Sequence, residues 1–105
     1  MTEAEWAGQI IETARWLDWR VAHFRPALTA RGYRTPVQGD GAGFPDLVCV
    51  RGPRLLAVEL KAEKGRLAPA QLDWLQRFAA VQSVEAHVWR PADRDAAERI
   101  LRRAA

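Results

Sequence analysis

Apolar residues recur along this chain in two periods, and the alternation between them sets the expected architecture. Trp6, Ala7, Ile10, Ala14 and Leu17 fall at three- and four-residue steps behind Thr2, which predicts a helix over residues 3–17 with an N-cap. Residues 20–24 fit a short strand. Two further apolar runs, 46–51 and 55–61, are joined by Gly52-Pro53, a turn short enough for a hairpin. Pro69 suits the first turn of a second helix whose inner face would carry Leu72, Leu75, Phe78 and Ala79. Residues 84–89 read as another strand, Pro91 ends it, and a last helix is expected from about 93 to 103. The stretch 31–45 is the one long loop candidate. The order is helix, three strands, helix, strand, helix, which predicts an α/β fold with a mixed sheet flanked by helices.

Composition bounds this picture without changing it. The 105 residues suffice for one core and are expected to form a single domain over 1–105, with no repeat or low-complexity tract. Hydrophobic residues make up 49% and charged residues 28%, ordinary values for a folded globular chain. No basic-then-apolar signal pattern opens the sequence, and no apolar run approaches the roughly 20 residues of a membrane span, so a cytoplasmic protein is expected. Cys49 has no cysteine partner, which excludes a disulfide framework or a thiolate zinc site and leaves a small buried hydrophobe. The net charge of +3 permits a polyanionic partner. Fourteen of the sixteen basic residues are Arg, as a GC-rich coding bias would also produce, so the charge is weak evidence by itself.

Three charged residues do not fit the apolar runs that hold them. Glu59 and Lys61 are two apart, so in a strand they share one face while Val58 and Leu60 fill the other. With Asp46 at the start of the neighbouring hairpin strand, its carboxylate would lie near Glu59. Two carboxylates that close repel, and a shared proton or a divalent cation relieves them. A hard cation such as Mg2+ takes oxygen ligands, commonly one or two carboxylates with waters and phosphate oxygens. Lys61 beside that ion would orient or help activate a water and offset charge on a phosphoryl transition state. From spacing alone, an edge-strand salt bridge between Glu59 and Lys61, with Asp46 as a turn residue, stands as the alternative.

The wider pattern adds to this. Asp46 follows Pro45, twelve residues separate it from Glu59, and Lys61 falls two positions later. This resembles the PD-(D/E)XK nuclease superfamily, whose core has the element order read above. Within it, Gly43-Phe44-Pro45-Asp46-Leu47, Glu59-Leu60-Lys61, Gly65-Arg66-Leu67 and Pro69-Ala70-Gln71-Leu72-Asp73-Trp74-Leu75 resemble the VRR-NUC family of small replication-repair nucleases, found alone in phages and bacteria and fused to larger proteins elsewhere. The resemblance implies a restriction-endonuclease-like core and Mg2+- or Mn2+-dependent cleavage of DNA, including branched DNA such as Holliday junctions, in replication, recombination or repair. It also implies metal ligation by Asp46 and Glu59, assistance from Lys61 and Gln71, and a further Glu on the first helix. Among Glu3, Glu5 and Glu12, helical geometry puts Glu3 on the face of Ala7, Ile10, Ala14 and Leu17, so Glu3 is the choice, though acids stand at both early positions.

Arg25, Arg31 and Arg34 before the motif and Lys64 and Arg66 after it are candidate phosphate contacts. His23 and His87 are read as hydrogen-bonded core histidines, and the five tryptophans as mostly packed inside, with Trp16, Trp19 or the last helix as candidates to meet a partner chain. A domain this small with no specificity module is expected to form a homodimer. Two rival readings are a noncatalytic nucleic-acid-binding module on the same fold and a structural interaction module that uses the tryptophans as its interface.

Overall fold

The computed structural model describes residues 1–24, 27–30, 32–34 and 37–104. Thr2 opens helix α1 (Glu3–Trp16) as expected: its hydroxyl accepts from Glu5 N at 3.1 Å, and the Glu5 carboxylate accepts from Thr2 N, completing a capping box. The Thr2 hydroxyl also lies 3.0 Å from Glu5 Oε1, and its hydrogen bond to that oxygen, followed by the one from Thr2 N, holds the Glu5 carboxyl below the usual carboxylate range. Trp6, Ala7, Ile10 and Ala14 are the buried face.

Strands β1 (Arg20–His23), β4 (Leu47–Arg51), β5 (Arg54–Leu60) and β6 (Val84–Trp89) form one sheet in the order β1-β4-β5-β6, antiparallel except for the β5–β6 pair. The hairpin of β4 and β5 turns at Gly52-Pro53, where Gly52 takes a φ of +56° that a side chain would disfavour. A parallel neighbour needs a crossover, and helix α2 (Pro69–Ala79) supplies it between β5 and β6. After β6 a 3-10 turn (Pro91–Asp93) leads into α3 (Arg94–Arg102).

Strands β2 (Ala27–Thr29) and β3 (Gly32–Arg34) pair as a separate two-stranded ribbon, so the start of the 31–45 stretch expected to be loop is the second strand of a small hairpin. Strands of three residues are too short to show a period of two, and the turn residues around them read as loop. Arg25 and Arg31 lie outside the described residues, and Arg34 is described as the last position of β3.

The period of two divides β5 cleanly. Leu56, Val58 and Leu60 enter the core with Leu47, Cys49, Trp89 and the buried faces of α1 and α3, while Ala57 and Glu59 turn to the face that α2 covers. Burial pushes the Cys49 thiol up to about 12, as suits an inert core residue. Trp6 Nε1 donates to Trp89 O at 2.9 Å, joining α1 to β6. Trp19 is core and not surface: it is 2% exposed, and its Nε1 donates to Leu101 O at 3.0 Å. Arg51 and Arg54 stack over its ring at 4.5 and 4.9 Å. Their guanidiniums then donate to the carbonyls at the end of α3, Arg51 to Leu101 O at 2.8 Å and Arg54 to Ile100 O at 3.1 Å and Arg103 O at 2.6 Å. They thereby supply donors to the last carbonyls of the helix, of which Ile100 O also accepts from Arg103 N at 3.3 Å. A bidentate pair from Arg54 to Glu85 closes the cluster.

Helix α2 is rotated from the expected face. Leu75 is buried, Trp74 and Phe78 are half-buried, and Leu72 is 45% exposed with Ala79 also on the surface. The inward stripe is Gln71, Trp74, Leu75 and Phe78, a spacing as helical as the one expected but turned by one residue. His23 is exposed at the end of β1, opposite Leu47, rather than in the core. His87 is half-buried and stacked on Trp89 at 5.2 Å; burial holds its imidazole below the usual range, and its Nε2 has no hydrogen-bond partner among the described residues. No helix among the described residues is long and apolar enough to cross a membrane.

Candidate metal centre

The open end of the β4–β5 hairpin gathers the charged residues that the apolar pattern could not explain. Asp46 stands just before β4. Its backbone O accepts from Phe24 N at 2.8 Å, extending the β1–β4 pairing, and its carboxylate Oδ2 accepts from Leu60 N at 2.8 Å. The carboxylate is thereby drawn across to β5, beside Glu59.

Glu59 is 1% exposed in the middle of the sheet. Its Oε2 faces Lys61 Nζ at 3.5 Å and accepts from Gln71 Nε2 at 3.2 Å. Its Oε1 is buried with no hydrogen-bond partner. Burial, and then the nearby Asp46 carboxylate, push the Glu59 carboxyl up to about 8; Lys61 opposes this only in part. A cation bound at Glu59 would therefore displace the proton that burial favours there.

This geometry departs from the edge-strand salt bridge in two respects. The Glu59–Lys61 pair exists, but β5 is flanked by β4 on one side and β6 on the other, so it is not on an edge strand. Nor does the pair neutralise the site, because one buried oxygen stays unpartnered and the acid remains strongly perturbed. Lys61 is itself 9% exposed and follows β5 directly, and its N–H donates to Trp89 O at 3.1 Å, so the backbone holds it in line.

Two further elements close the site. The Ala68 N–H at the start of α2 donates to Gln71 Oε1 at 2.8 Å, which fixes the amide so that its Nε2 points at Glu59. The chain reaches Asp46 by passing over that same helix end at Gly43, where φ is +80° and a Cβ would stand 2.5 Å from the Ala70 carbonyl carbon and 2.7 Å from Gln71 N. Only glycine allows the approach. Phe44 then packs edge-on against Phe24 and Trp74, each at 5.1 Å between centroids, and Pro45 is fully buried.

The structure thus brings together Asp46, Glu59, Lys61 and Gln71. Glu3 is not with them: it is exposed in the first turn of α1, and no three His, Cys, Asp or Glu side chains among the described residues cluster as a metal set. The helical face that pointed Glu3 inward buries Trp6, Ala7, Ile10 and Ala14 but starts one turn too late to cover its side chain. Lys64 and Arg66 are exposed on the segment after Lys61, which is braced where Arg90 Nη2 donates to Gly65 O at 2.7 Å. Sequence reasoning missed the Leu60 N–H that holds Asp46, since a backbone donor carries no residue signal, and missed Phe44 and Trp74 as supports of the loop.

Two carboxylates, one bearing an unpartnered buried oxygen, suit a hard divalent cation that completes its shell with water and phosphate oxygens. They do not suit a zinc site of His and Cys ligands. A family model described as the VRR-NUC domain matches residues 20–90. No curated protein matches the chain.

Proposed function

We propose, because this chain belongs to the VRR-NUC family and so has a nuclease-type fold, that it hydrolyses DNA phosphodiester bonds with the help of Mg2+ or Mn2+. The observation that carries this reading is Glu59, a buried carboxylate held against Asp46 with one oxygen unpartnered. Asp46 and Glu59 would hold the cation, which when bound supplies Lewis-acid activation of water and neutralisation of phosphate charge. In the hydrolysis, a water oxygen bonds to phosphorus, one ester oxygen leaves with a proton, and a phosphate monoester and a free hydroxyl result. Lys61 places a positive charge where the developing phosphoryl charge and the attacking water would lie. Gln71, anchored at Ala68 N and bonded to Glu59, would help to position that water. The exposed Lys64 and Arg66 would take flanking phosphates.

Selectivity for branched DNA in repair or recombination, and action as a homodimer in the cytoplasm, are further parts of the proposal. Trp19 cannot contribute to the dimer surface, whereas Trp16, 81% exposed at the end of α1, can. Calorimetric titration of Mn2+ into wild type and Asp46→Ala, paired with a cleavage assay in Mg2+ and in EDTA, tests the reading. Binding lost in the variant and cleavage stopped by chelation are expected. Cleavage that survives exhaustive chelation overturns the metal role, and metal binding without cleavage of any DNA form points to a binding module.

A further inference from the structure

One turn of α2 supports both carboxylates of the site. Gln71 donates to Glu59, and Trp74, three residues on, reaches the loop that leads into Asp46. The Trp74 Nε1–H lies within hydrogen-bond distance of two carbonyls of that loop, Asp40 O at 3.0 Å and Ala42 O at 3.1 Å. Its ring meets Phe44 edge-on, and Phe44 N in turn donates to Gly41 O at 3.0 Å. Ring packing alone could be served by phenylalanine, since Phe44 already contacts Phe24 and Phe78. The indole N–H supplies what phenylalanine lacks: a donor shared by two loop carbonyls, which fixes the position of the loop as well as its distance from the helix.

We propose that Trp74 is a positioning residue of the metal centre, pinning the 40–42 carbonyls to α2 so that the Asp46 carboxylate stays registered against Glu59. The proposal rests on the metal-dependent reading above for its functional consequence, but its structural half can be read separately. Leu60 N donates to Asp46 Oδ2, so protection of that amide reports where the Asp46 side chain is held. The next amide, Lys61 N, donates to Trp89 O and does not involve the loop.

The experiment measures residue-resolved amide exchange of wild type and Trp74→Phe in EDTA, then titrates both with Mn2+, with Asp46→Ala as the reference for a lost ligand. Loss of a shared neutral hydrogen bond is expected to speed Leu60 exchange roughly three- to tenfold relative to Lys61, and to weaken Mn2+ affinity by a similar factor. An unchanged ratio of the two exchange rates, including the case where both amides speed up together through general destabilisation, overturns the proposal. So does a Trp74→Phe protein that binds Mn2+ as wild type does. If wild type takes up no Mn2+, or no more than Asp46→Ala, the metal reading itself fails, and the Leu60 to Lys61 ratio alone decides whether Trp74 positions Asp46.

Discussion

Lys61 Nζ stands 3.5 Å from Glu59 Oε2 and leaves the other oxygen, Oε1, buried without a donor. A lysine that served only to neutralise its neighbour would bring the carboxyl down to or below its ordinary value, yet Glu59 is pushed up to about 8. Lys61 therefore offsets only part of what burial and Asp46 impose on Glu59, and this has measurable consequences.

The first concerns stability without metal. Glu59 holds its proton more tightly folded than unfolded, so its contribution to stability is complete below about pH 4.5 and is lost as pH rises to about 8. Glu59→Gln removes the charge and keeps the shape. In EDTA at pH 9 the variant should be more stable than wild type by roughly 2–4 kcal/mol, with the gap shrinking towards pH 5. Denaturant unfolding at the two pH values checks this, and an equal gap at both would contradict it.

Cation and proton should compete for the same carboxylates. Thermal stabilisation of wild type by a fixed Mn2+ concentration is expected to be larger at pH 8 than at pH 6, and absent in Asp46→Ala. A pH-independent shift would place the ion elsewhere.

Lys61 acts, on this reading, at the transition state. Lys61→Ala should lower the single-turnover cleavage rate by roughly 10²- to 10³-fold while DNA affinity changes little. Mn2+ titration of the variant distinguishes a lost charge from a disturbed metal site. Cleavage at the wild-type rate with metal bound would return Lys61 to a purely structural role.

Arg66 should behave in the opposite way. Replacing this exposed residue by Ala is expected to weaken DNA binding and reduce its salt slope by about one unit, leaving the rate of bound substrate near wild type. An unchanged slope would remove Arg66 from the phosphate contacts.

Gly43→Ala tests the approach of the loop to α2. Strain at positive φ costs about 1–2 kcal/mol, and the contact at 2.5 Å with the Ala70 carbonyl carbon should add about 1–3 kcal/mol. Gly39 also has positive φ, +67°, but open space around its Cβ position, so Gly39→Ala should show the strain alone. Equal losses in the two variants would mean the loop yields without resistance.

The parts of this structure legible in the sequence are those that a local period encodes. The α1 face and its Thr2 cap, the Gly52-Pro53 hairpin, the division of β5 into Val58 and Leu60 on one side and Glu59 on the other, and the proximity of Asp46 to Glu59 all follow from spacings of two to four residues and one turn. What failed depends on the third dimension. Leu72 and Gln71 differ by one position on α2, and only the contact with β5 and β6 decides which faces inward. Trp19 looked available for a partner because nothing local announces that Arg51, Arg54 and the end of α3 will close over it. Glu3 satisfied the helical wheel, but a wheel has no ends, and the first turn of α1 lies beyond the burial it predicts.

The cluster of Arg51 and Arg54 on Trp19 lies at the closed end of the same hairpin whose open end carries Asp46 and Glu59. Arg54 and Glu59 are five strand steps apart, about 16 Å at the usual rise. The arginine–tryptophan cluster and the candidate site thus occupy opposite ends of two strands. At the open end the support comes from α2 and the 40–45 loop, whereas at the closed end it comes from the end of α3, so the two ends of the hairpin are braced by different parts of the chain. Trp19 and Arg54 each serve several partners at once, so a replacement at either position loosens β4, β5 and α3 together.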